Sequence, residues 1–309
     1  MEIDPELAAF LATPFPNNFD DLEWSRAEQR RMAESSPTLP STTVQWDDRS
    51  IGTSDSGGEL RVRVYRPLAT NDVAPAIFFV HGGAFVFGDL ESEHRRCLRY
   101  CEEVGCVVVS VDYALAPEHR FPAPLNDARR ALDWMLSEAA TLNIDPERVA
   151  IAGVSAGGAI AAGLILQLRD SGSRIPRAQL LVYPVTDSDT STPSIIEFFH
   201  AEPFDGERAR RMWSLYVDDL TQVSPYASVA KAQDLTRIPP TYIVTADLDP
   251  LRDEGLNYAR ALIDAGTRVE LHHFPRTYHG FDAVAPDAQV SRRALDEQCL
   301  FLRKELATP

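Results

Sequence analysis

A serine set among glycines is the clearest chemical signal in the sequence. Gly153-Val154-Ser155-Ala156-Gly157 directly follows a short apolar run, Val149–Ala152, and leads into an almost wholly apolar segment, Ala156–Leu168. We predict a buried strand and then a buried helix, so the serine occupies a tight strand-to-helix turn. Such a turn lifts the hydroxyl clear of the sheet and points a helix N-terminus at the reacting oxygen. A glycine turn with a solvated serine is the alternative, but this context favours Ser155 as a nucleophile.

A serine hydroxyl is a poor nucleophile at neutral pH, so it needs a base, and the base needs a carboxylate to orient it. Seven histidines compete for the first role, and His279 follows the last predicted strand in a loop at the carboxyl edge of the sheet. Two carboxylates, Asp247 and Asp249, follow the predicted strand Tyr242–Thr245 at the same edge. We favour Asp249 as the third member, although an aspartate before a proline is also a common helix cap.

The tetrahedral intermediate of acyl transfer needs hydrogen-bond donors for its oxyanion. His81-Gly82-Gly83-Ala84-Phe85 directly follows the predicted strand Ala76–Val80. Its small residues allow backbone N–H groups to approach a substrate, and the N–H of Ala156 would complete the oxyanion hole. His81 precedes the glycines, so we predict that it hydrogen-bonds within the structure rather than acting as a base.

Short apolar runs alternate with helical patterns along most of the chain. This alternation predicts a doubly wound α/β fold, in which a mostly parallel sheet carries helices on both faces. A turn at Gly57-Gly58 predicts an antiparallel hairpin before the first parallel strand. The later predicted strands are Ala76–Val80, Val107–Val111, Val149–Ala152, Gln179–Tyr183, Tyr242–Thr245 and Val269–His273. Ligands bind at the carboxyl ends of such strands, where all the candidate segments lie.

Two segments fall outside this alternation, and we predict that they form a helical cap. The first contains a helix over Leu22–Ala33, and the second a helix over Glu207–Leu220. Four aromatic anchors of the first segment either cover the edge of the core or line a substrate pocket; they are Phe10, Phe15, Phe19 and Trp24. The predicted division is 1–42 and 185–225 for the cap, with 43–184 and 226–309 forming the catalytic domain.

Composition and charge exclude several classes of function. The 309 residues carry a formal net charge of −16, which provides no basic field for nucleic acid or for anionic membranes. The N-terminus shows no secretory pattern and no stretch is apolar enough to cross a bilayer, so we expect a cytoplasmic protein without stable membrane insertion. Cys97 and Cys101 could form a metal or redox pair on one helix face. No second ligand pair follows, so buried free thiols are the favoured prediction.

Several motifs together resemble the hormone-sensitive-lipase-like family of α/β-hydrolase esterases, from about Val62 to the C-terminus. They are His81–Phe85, Asp112–His119, Gly153–Gly158, Asp249–Gly255 and His279–Phe281. Their order of serine, aspartate and histidine is the one found in α/β-hydrolases. The resemblance implies the α/β-hydrolase fold with a mostly parallel eight-stranded sheet. It also implies a cap built from the N-terminal helices and an insertion after the sixth strand.

The resemblance further assigns the oxyanion donors to Gly83, Ala84 and Ala156, with Gly82 supporting the loop. It implies no metal and no organic cofactor, and it suggests a possible homodimer, since many relatives pair through the last strand. Three positions depart from the family pattern. Ala84 replaces a glycine and crowds the pocket against branched acids, Val154 leaves the subfamily open, and Ala114 replaces an arginine of a structural ion pair.

We therefore predict a carboxylesterase that cleaves short- to medium-chain acyl esters of small molecules through Ser155, His279 and Asp249. Phe85, Trp213, Tyr216 and Phe281 are the predicted residues of its substrate pocket. An enzyme that takes amides, carbamates or peptides with the same serine chemistry is an alternative. A ligand-binding receptor on this fold is another, but such a protein can lose its histidine, whereas all three candidate residues are present. The charged cap segments give a long-chain lipase little support.

Overall fold

The computed structural model describes residues 2–12, 16–35, 41–68 and 73–307. Residues 1, 13–15 and 36–40 of the predicted N-terminal cap segment, including the anchor Phe15, lie outside the described residues. The same holds for residues 308 and 309 of the predicted catalytic domain.

Eight strands within the described residues form one mostly parallel sheet, as predicted. The strands are β1 Val44–Thr53, β2 Glu59–Pro67, β3 Ala74–Val80, β4 Val107–Asp112, β5 Ile144–Val154, β6 Ala178–Val182, β7 Thr241–Leu248 and β8 Val269–Tyr278. Their order across the sheet is β1-β2-β4-β3-β5-β6-β7-β8. The hairpin β1–β2 and the pair β2–β4 are antiparallel, and every other neighbouring pair is parallel. β5, β7 and β8 therefore end at the same edge of the sheet.

Helices cover both faces of this sheet. They are α1 Pro5–Ala8, α2 Leu22–Ser35, α3 His94–Val104, α4 Ala123–Ser137, α5 Ala139–Leu142, α6 Ala156–Asp170, α7 Pro193–Glu197, α8 Gly206–Tyr216, α9 Arg252–Asp264, α10 Phe281–Val284 and α11 Gln289–Leu306. Helices α4, α6 and α9 pack on one face, while α3 and α11 pack on the other. None of the helices in the described residues is both long and apolar enough to cross a membrane.

The continuous apolar runs of the sequence are explained by burial on both faces of the sheet. Successive residues of β3 point into the two cores, with Phe78 in one and Phe79 in the other, and both side chains are fully buried. A strand with a solvated face would instead alternate apolar and polar residues. Between β6 and β7 the chain forms α7 and α8 and no strand, which is where the alternation of the sequence breaks.

Helix α8 ends at Tyr216, before the predicted end at Leu220. Its last carbonyl groups are bound by a distant segment, because Arg120 Nη1 donates to the Ser214 carbonyl at 2.9 Å. The N–H of Phe121 donates to the Tyr216 carbonyl at 2.8 Å. These two donors take the place of the N–H groups that a further helical turn would supply. Because they come from a distant segment, the residue pattern of α8 itself does not predict them.

The four cysteines are free and buried, in agreement with the favoured prediction. They lie near the contact between α3, β4 and α11, where Cys299 joins the three cysteines that are close together in the sequence. Burial disfavours the thiolate form at each position, and it raises the pKa of Cys101 and Cys299 to about 12. Because the thiolate is the reactive form of cysteine, these side chains are chemically inert in the folded protein.

We expect that no cysteine of the native protein reacts rapidly with an aromatic disulfide reagent at neutral pH, and that all four react in concentrated guanidinium chloride. Absorbance of the released aromatic thiolate gives the number of reactive cysteines in the native and in the unfolded protein. The thermal midpoint should also be the same with and without dithiothreitol. Rapid labelling of the folded chain, or a midpoint that falls on reduction, would contradict the burial of free thiols.

Candidate active site

Ser155 lies at the turn between β5 and α6, with φ 54° and ψ −119°. Its N–H donates to the Val182 carbonyl at 2.9 Å, which fixes the turn to the end of β6. The turn is possible because Gly157 has no side chain: a Cβ there would lie 2.3 Å from the carbonyl oxygens of Val80 and His81. The strand-to-helix turn that the sequence predicts is thus present, and it brings the serine beside the end of β3.

His279 links the serine to a buried carboxylate. Its Nε2 lies 2.9 Å from the Ser155 hydroxyl, and its Nδ1 lies 2.8 Å from Asp249 Oδ2. The hydroxyl can donate to Nε2 while Nδ1–H donates to the carboxylate, which is the tautomer that leaves Nε2 free to accept a proton. The imidazole directly follows β8, and Gly280 turns the chain back with φ 76°.

The two candidate aspartates have different partners. Asp249 is fully buried, and its second oxygen accepts the N–H of Leu251 at 2.8 Å, so it caps a turn as well as binding His279. Asp247 instead accepts the backbone N–H of Arg276 at 3.1 Å, and its other oxygen lies 3.6 Å from His273 Nε2. The structure therefore brings Asp249, and not Asp247, into line with the serine and the imidazole.

The loop after β3 runs alongside the serine turn. A Cβ at Gly82 would lie 3.1 Å from the Val154 carbonyl and 3.5 Å from the Ser155 Cβ, so the two backbones are in close contact. Gly83, Ala84 and Phe85 all have positive φ, at 115°, 53° and 62°. Among the described residues, no acceptor is bound by the N–H groups of Gly83 and Ala84.

The N–H of Ala156 lies in the first turn of α6, where backbone donors have no helical partner. The predicted oxyanion donors thus lie on two segments in contact with each other. His81 is stacked on Tyr113 with ring centroids 4.2 Å apart, and its Nδ1 lies 2.7 Å from the Gly82 carbonyl. Its imidazole therefore packs against the loop that follows β3.

The four predicted pocket residues are all fully buried. Phe85 stacks on Tyr216 with centroids 3.6 Å apart and planes within 1°, and Trp213 lies 5.9 Å from Phe85. Phe281 packs against Phe274 beneath the end of β8. These contacts are between protein side chains, and contact of the four residues with a substrate stays a prediction.

Two aromatic rings beside His279 were not predicted as site residues from the sequence. Tyr183 and Phe204 have ring centroids 4.7 Å and 4.9 Å from the imidazole. The Tyr183 hydroxyl donates to Asp282 Oδ1 at 2.7 Å, and burial raises the pKa of this tyrosine well above its ordinary value. Its position at the end of β6, at the same edge as the other site residues, was the signal that could have identified it. Phe204 lies in the insertion and no motif marks it.

A further carboxyl group lies buried behind Asp249. Glu254 accepts the N–H of Thr186 at 2.6 Å and of Asp187 at 3.3 Å, which ties α9 to the segment after β6. Burial, with smaller contributions from the charges of Asp187 and Asp249, raises the pKa of Glu254 well above its usual range. The neutral form of Glu254 is therefore favoured.

A cavity of about 780 Å³ lies between the N-terminal segment and α8. Phe19 and Trp24 line one side, and Arg208 and Arg211 line the other. Phe19 also contacts Phe87, just after the loop that follows β3, with ring centroids 5.3 Å apart. Asp205 also lines the cavity, and the residue before it, Phe204, is the one whose ring lies beside His279. The described residues that line the cavity include neither Ser155 nor His279 nor the loop after β3, so its connection to the site runs through Phe19 and the neighbour of Asp205, Phe204.

Comparison with known proteins identifies the family of this chain. A family profile described as alpha/beta hydrolase fold matches residues 77–283. The chain belongs to this family, in its hormone-sensitive-lipase-like branch. The predicted fold class and family resemblance are confirmed.

Several relatives are named as esterases or ester hydrolases. The protein named Carboxylesterase NlhH from Mycobacterium tuberculosis is 37% identical over 287 residues, which cover 91% of this chain and 89% of the relative. Ethyl acetate hydrolase from Pseudomonas putida is 32% identical over 295 residues, covering 91% and 92%. The solved structure of a bacterial heroin esterase has a TM-score of 0.93 at 38% identity, covering 99% of this chain and 98% of that one. These relatives confirm the prediction of an enzyme of the carboxylic-ester hydrolase class.

The different surroundings of the two aspartates give a direct test. Asp249→Asn should lower kcat by about 10³- to 10⁴-fold, because an amide favours the wrong tautomer of His279. Asp247→Asn is the matched control, with kcat close to that of the wild type. Steady-state hydrolysis of an aryl ester measures both variants, with circular dichroism to confirm folding. Equal losses in the two variants would contradict the assignment.

Proposed function

We propose that this chain hydrolyses short- to medium-chain carboxylic esters through a covalent acyl-enzyme on Ser155. The observation that carries the proposal is the continuous hydrogen-bonded path from the Ser155 hydroxyl through His279 to Asp249. The Ser155 end of that path lies beside a loop whose N–H groups at Gly83 and Ala84 have no acceptor in the described residues.

In the first half of the proposed reaction, Ser155 Oγ attacks the carbonyl carbon of the ester while His279 Nε2 takes its proton. The carbonyl π electrons move to oxygen, and the N–H groups of Gly83, Ala84 and Ala156 stabilise the resulting oxyanion. When the carbonyl re-forms, the bond to the alcohol breaks, and the leaving oxygen takes the proton from His279 Nε2. Asp249 stabilises the imidazolium that exists between these transfers.

In the second half, water attacks the acyl-enzyme and gives a proton to His279 Nε2. The same N–H groups stabilise the second oxyanion. Collapse breaks the bond between the acyl carbon and Ser155 Oγ, which recovers its proton from the imidazolium. The products are a carboxylic acid and an alcohol, and the enzyme returns to its starting state.

The surroundings of the site support a small or medium ester. We propose that the cavity between α2 and α8 holds the part of the substrate remote from the reacting carbon, so that 1–42 and 185–225 act as the cap. Charged residues lie on both of its walls, Asp20 and Glu28 beside the aromatic rings and Arg208 opposite them, which fits a compact ester better than a long alkyl chain. A homodimer through the edge strand β8 stays a prediction.

The alternatives differ in what they require of the site. An amidase uses the same attack but must protonate a poorer leaving group, so the ratio of ester to anilide hydrolysis at constant acyl chain separates it from an esterase. A receptor needs no connected proton path, and the path from Ser155 to Asp249 supports the enzyme.

Trapping of the acyl-enzyme tests the mechanism. Two esters of one acid with different alcohols should give the same ratio of methyl ester to acid when methanol is added, because both pass through one intermediate. Ser155→Ala should abolish turnover of both while remaining folded. Ratios that depend on the leaving alcohol, or undiminished turnover in Ser155→Ala, would refute a serine acyl-enzyme.

The methyl group of Ala84 should limit the acids that the enzyme accepts. Ala84→Gly should raise kcat/KM for branched acyl esters relative to acetyl esters by severalfold, because it removes a methyl group from a backbone that already has positive φ. The acetyl ester measured on the same variant is the internal control. A ratio equal to that of the wild type would show that Ala84 does not restrict the acyl site.

A further inference from the structure

Arg26 connects the N-terminal segment to the loop that follows β3. It lies on α2, and its side chain is 17% exposed. Its Nε donates to the Val86 carbonyl at 2.7 Å, and its Nη2 donates to the Ala116 carbonyl at 2.7 Å. The outer edge of the guanidinium binds both carboxylate oxygens of Glu118, at 2.7 and 3.0 Å. All three guanidinium nitrogens therefore have partners.

Arg26 binds one carbonyl of the loop after β3, at Val86, and one of the segment after β4, at Ala116. The Phe85 carbonyl accepts the N–H of Ala116 at 2.9 Å, so the loop and residue 116 are joined twice, directly and through Arg26. The Gly83 carbonyl accepts the N–H groups of Val86 and Phe87. The Gly83 carbonyl shares its peptide unit with the Ala84 N–H, so the bonds that hold this carbonyl also fix the direction of that N–H.

The conformation of this loop needs such support. Ala84 and Phe85 both have φ in the left-handed region, which side chains other than glycine rarely adopt. Two successive residues of this kind persist only where the surroundings hold them. The Phe85 ring is held from above by Tyr216 of α8, and the Val86 carbonyl is held from the side by Arg26 of α2.

We propose that Arg26 is a positioning residue that fixes the oxyanion loop, so that the N-terminal segment is part of the catalytic apparatus. The inference rests on the proposed function of Gly83 and Ala84 as oxyanion donors. Arg26 acts through the Val86 and Ala116 carbonyls. Removing it lets the loop relax, and the donors then lie in the wrong place for the oxyanion.

The ion pair with Glu118 is not the contact by which Arg26 positions the loop. Glu118 is half exposed, and a pair of this kind adds little to stability because water screens it. The hydrogen bond from Arg26 lowers the pKa of the Glu118 carboxyl. The bonds to the two backbone carbonyls are the ones that transmit position.

The experiment compares Arg26→Gln, Arg26→Lys and Glu118→Gln. Arg26→Gln should lower kcat by about 10- to 100-fold with little change in KM, because misplaced groups cost rate rather than ground-state binding. Arg26→Lys keeps one donor and should recover part of the loss, and Glu118→Gln should resemble the wild type. Arg31→Gln is the matched control, since Arg31 is 74% exposed on the same helix and pairs with Glu28 within it.

A second readout separates positioning from a merely structural role. A boronic acid that forms a tetrahedral adduct on Ser155 should bind Arg26→Gln more weakly by the factor lost in kcat/KM. The product alcohol, as a ground-state ligand, should bind equally well to Arg26→Gln and wild type. Thermal midpoints show that the variants compared are folded, and Arg26→Lys decides the question if Arg26→Gln does not fold.

Unchanged kcat in folded Arg26→Gln, or a rise in KM alone, would overturn this inference. Equal loss in Arg31→Gln would also overturn it. These results leave the proposed function intact as long as hydrolysis still depends on Ser155. Undiminished turnover in Ser155→Ala would instead remove the proposed function and, with it, the basis of this inference.

Discussion

Two stretches of backbone at the edge of the sheet touch each other directly, and the site depends on that contact. The turn at Ser155 and the loop at Gly82 approach so closely that a Cβ at Gly82 would lie 3.1 Å from the Val154 carbonyl. Backbone with positive φ at Ser155, Ala84 and Phe85 costs about 1–3 kcal/mol per residue without support. The strain is tolerable because the sheet below and the helices above hold both segments.

The sheet supplies the lower half of this support. β5, β6, β7 and β8 are successive parallel neighbours, so Ser155, Asp249 and His279 all emerge at one edge. The register is regular until a shift between Ala246 and Leu248, just before Asp249. Once the strands are paired in this register, the hydroxyl, imidazole and carboxylate need only short loops to meet. Elements far apart in the chain thereby form one hydrogen-bonded path.

Segments that continue a strand were readily predicted, and contacts between distant segments were not. Ser155 and His279 follow apolar runs in recognisable contexts, and the parallel sheet follows from the alternation of elements. Asp247 and Asp249 leave the same strand, so only their partners in the fold could separate them. Arg26 lies on a helix and Phe204 between two helices, neither within a motif, and their partners are backbone groups or rings that sequence patterns do not specify.

The electrostatics of the site fit an anionic transition state in a strongly acidic protein. With a net charge of −16, the protein's overall field disfavours a developing negative charge. Among the described residues, no arginine or lysine side chain donates a hydrogen bond to Ser155, Asp249 or His279. In the proposed mechanism, local N–H dipoles and the N-terminus of α6 stabilise the oxyanion, and they act only at short range. The same acidic field repels the carboxylate product and so favours its departure. In the proposed mechanism, short-range N–H groups stabilise the intermediate, whereas the long-range field repels the acid that is released.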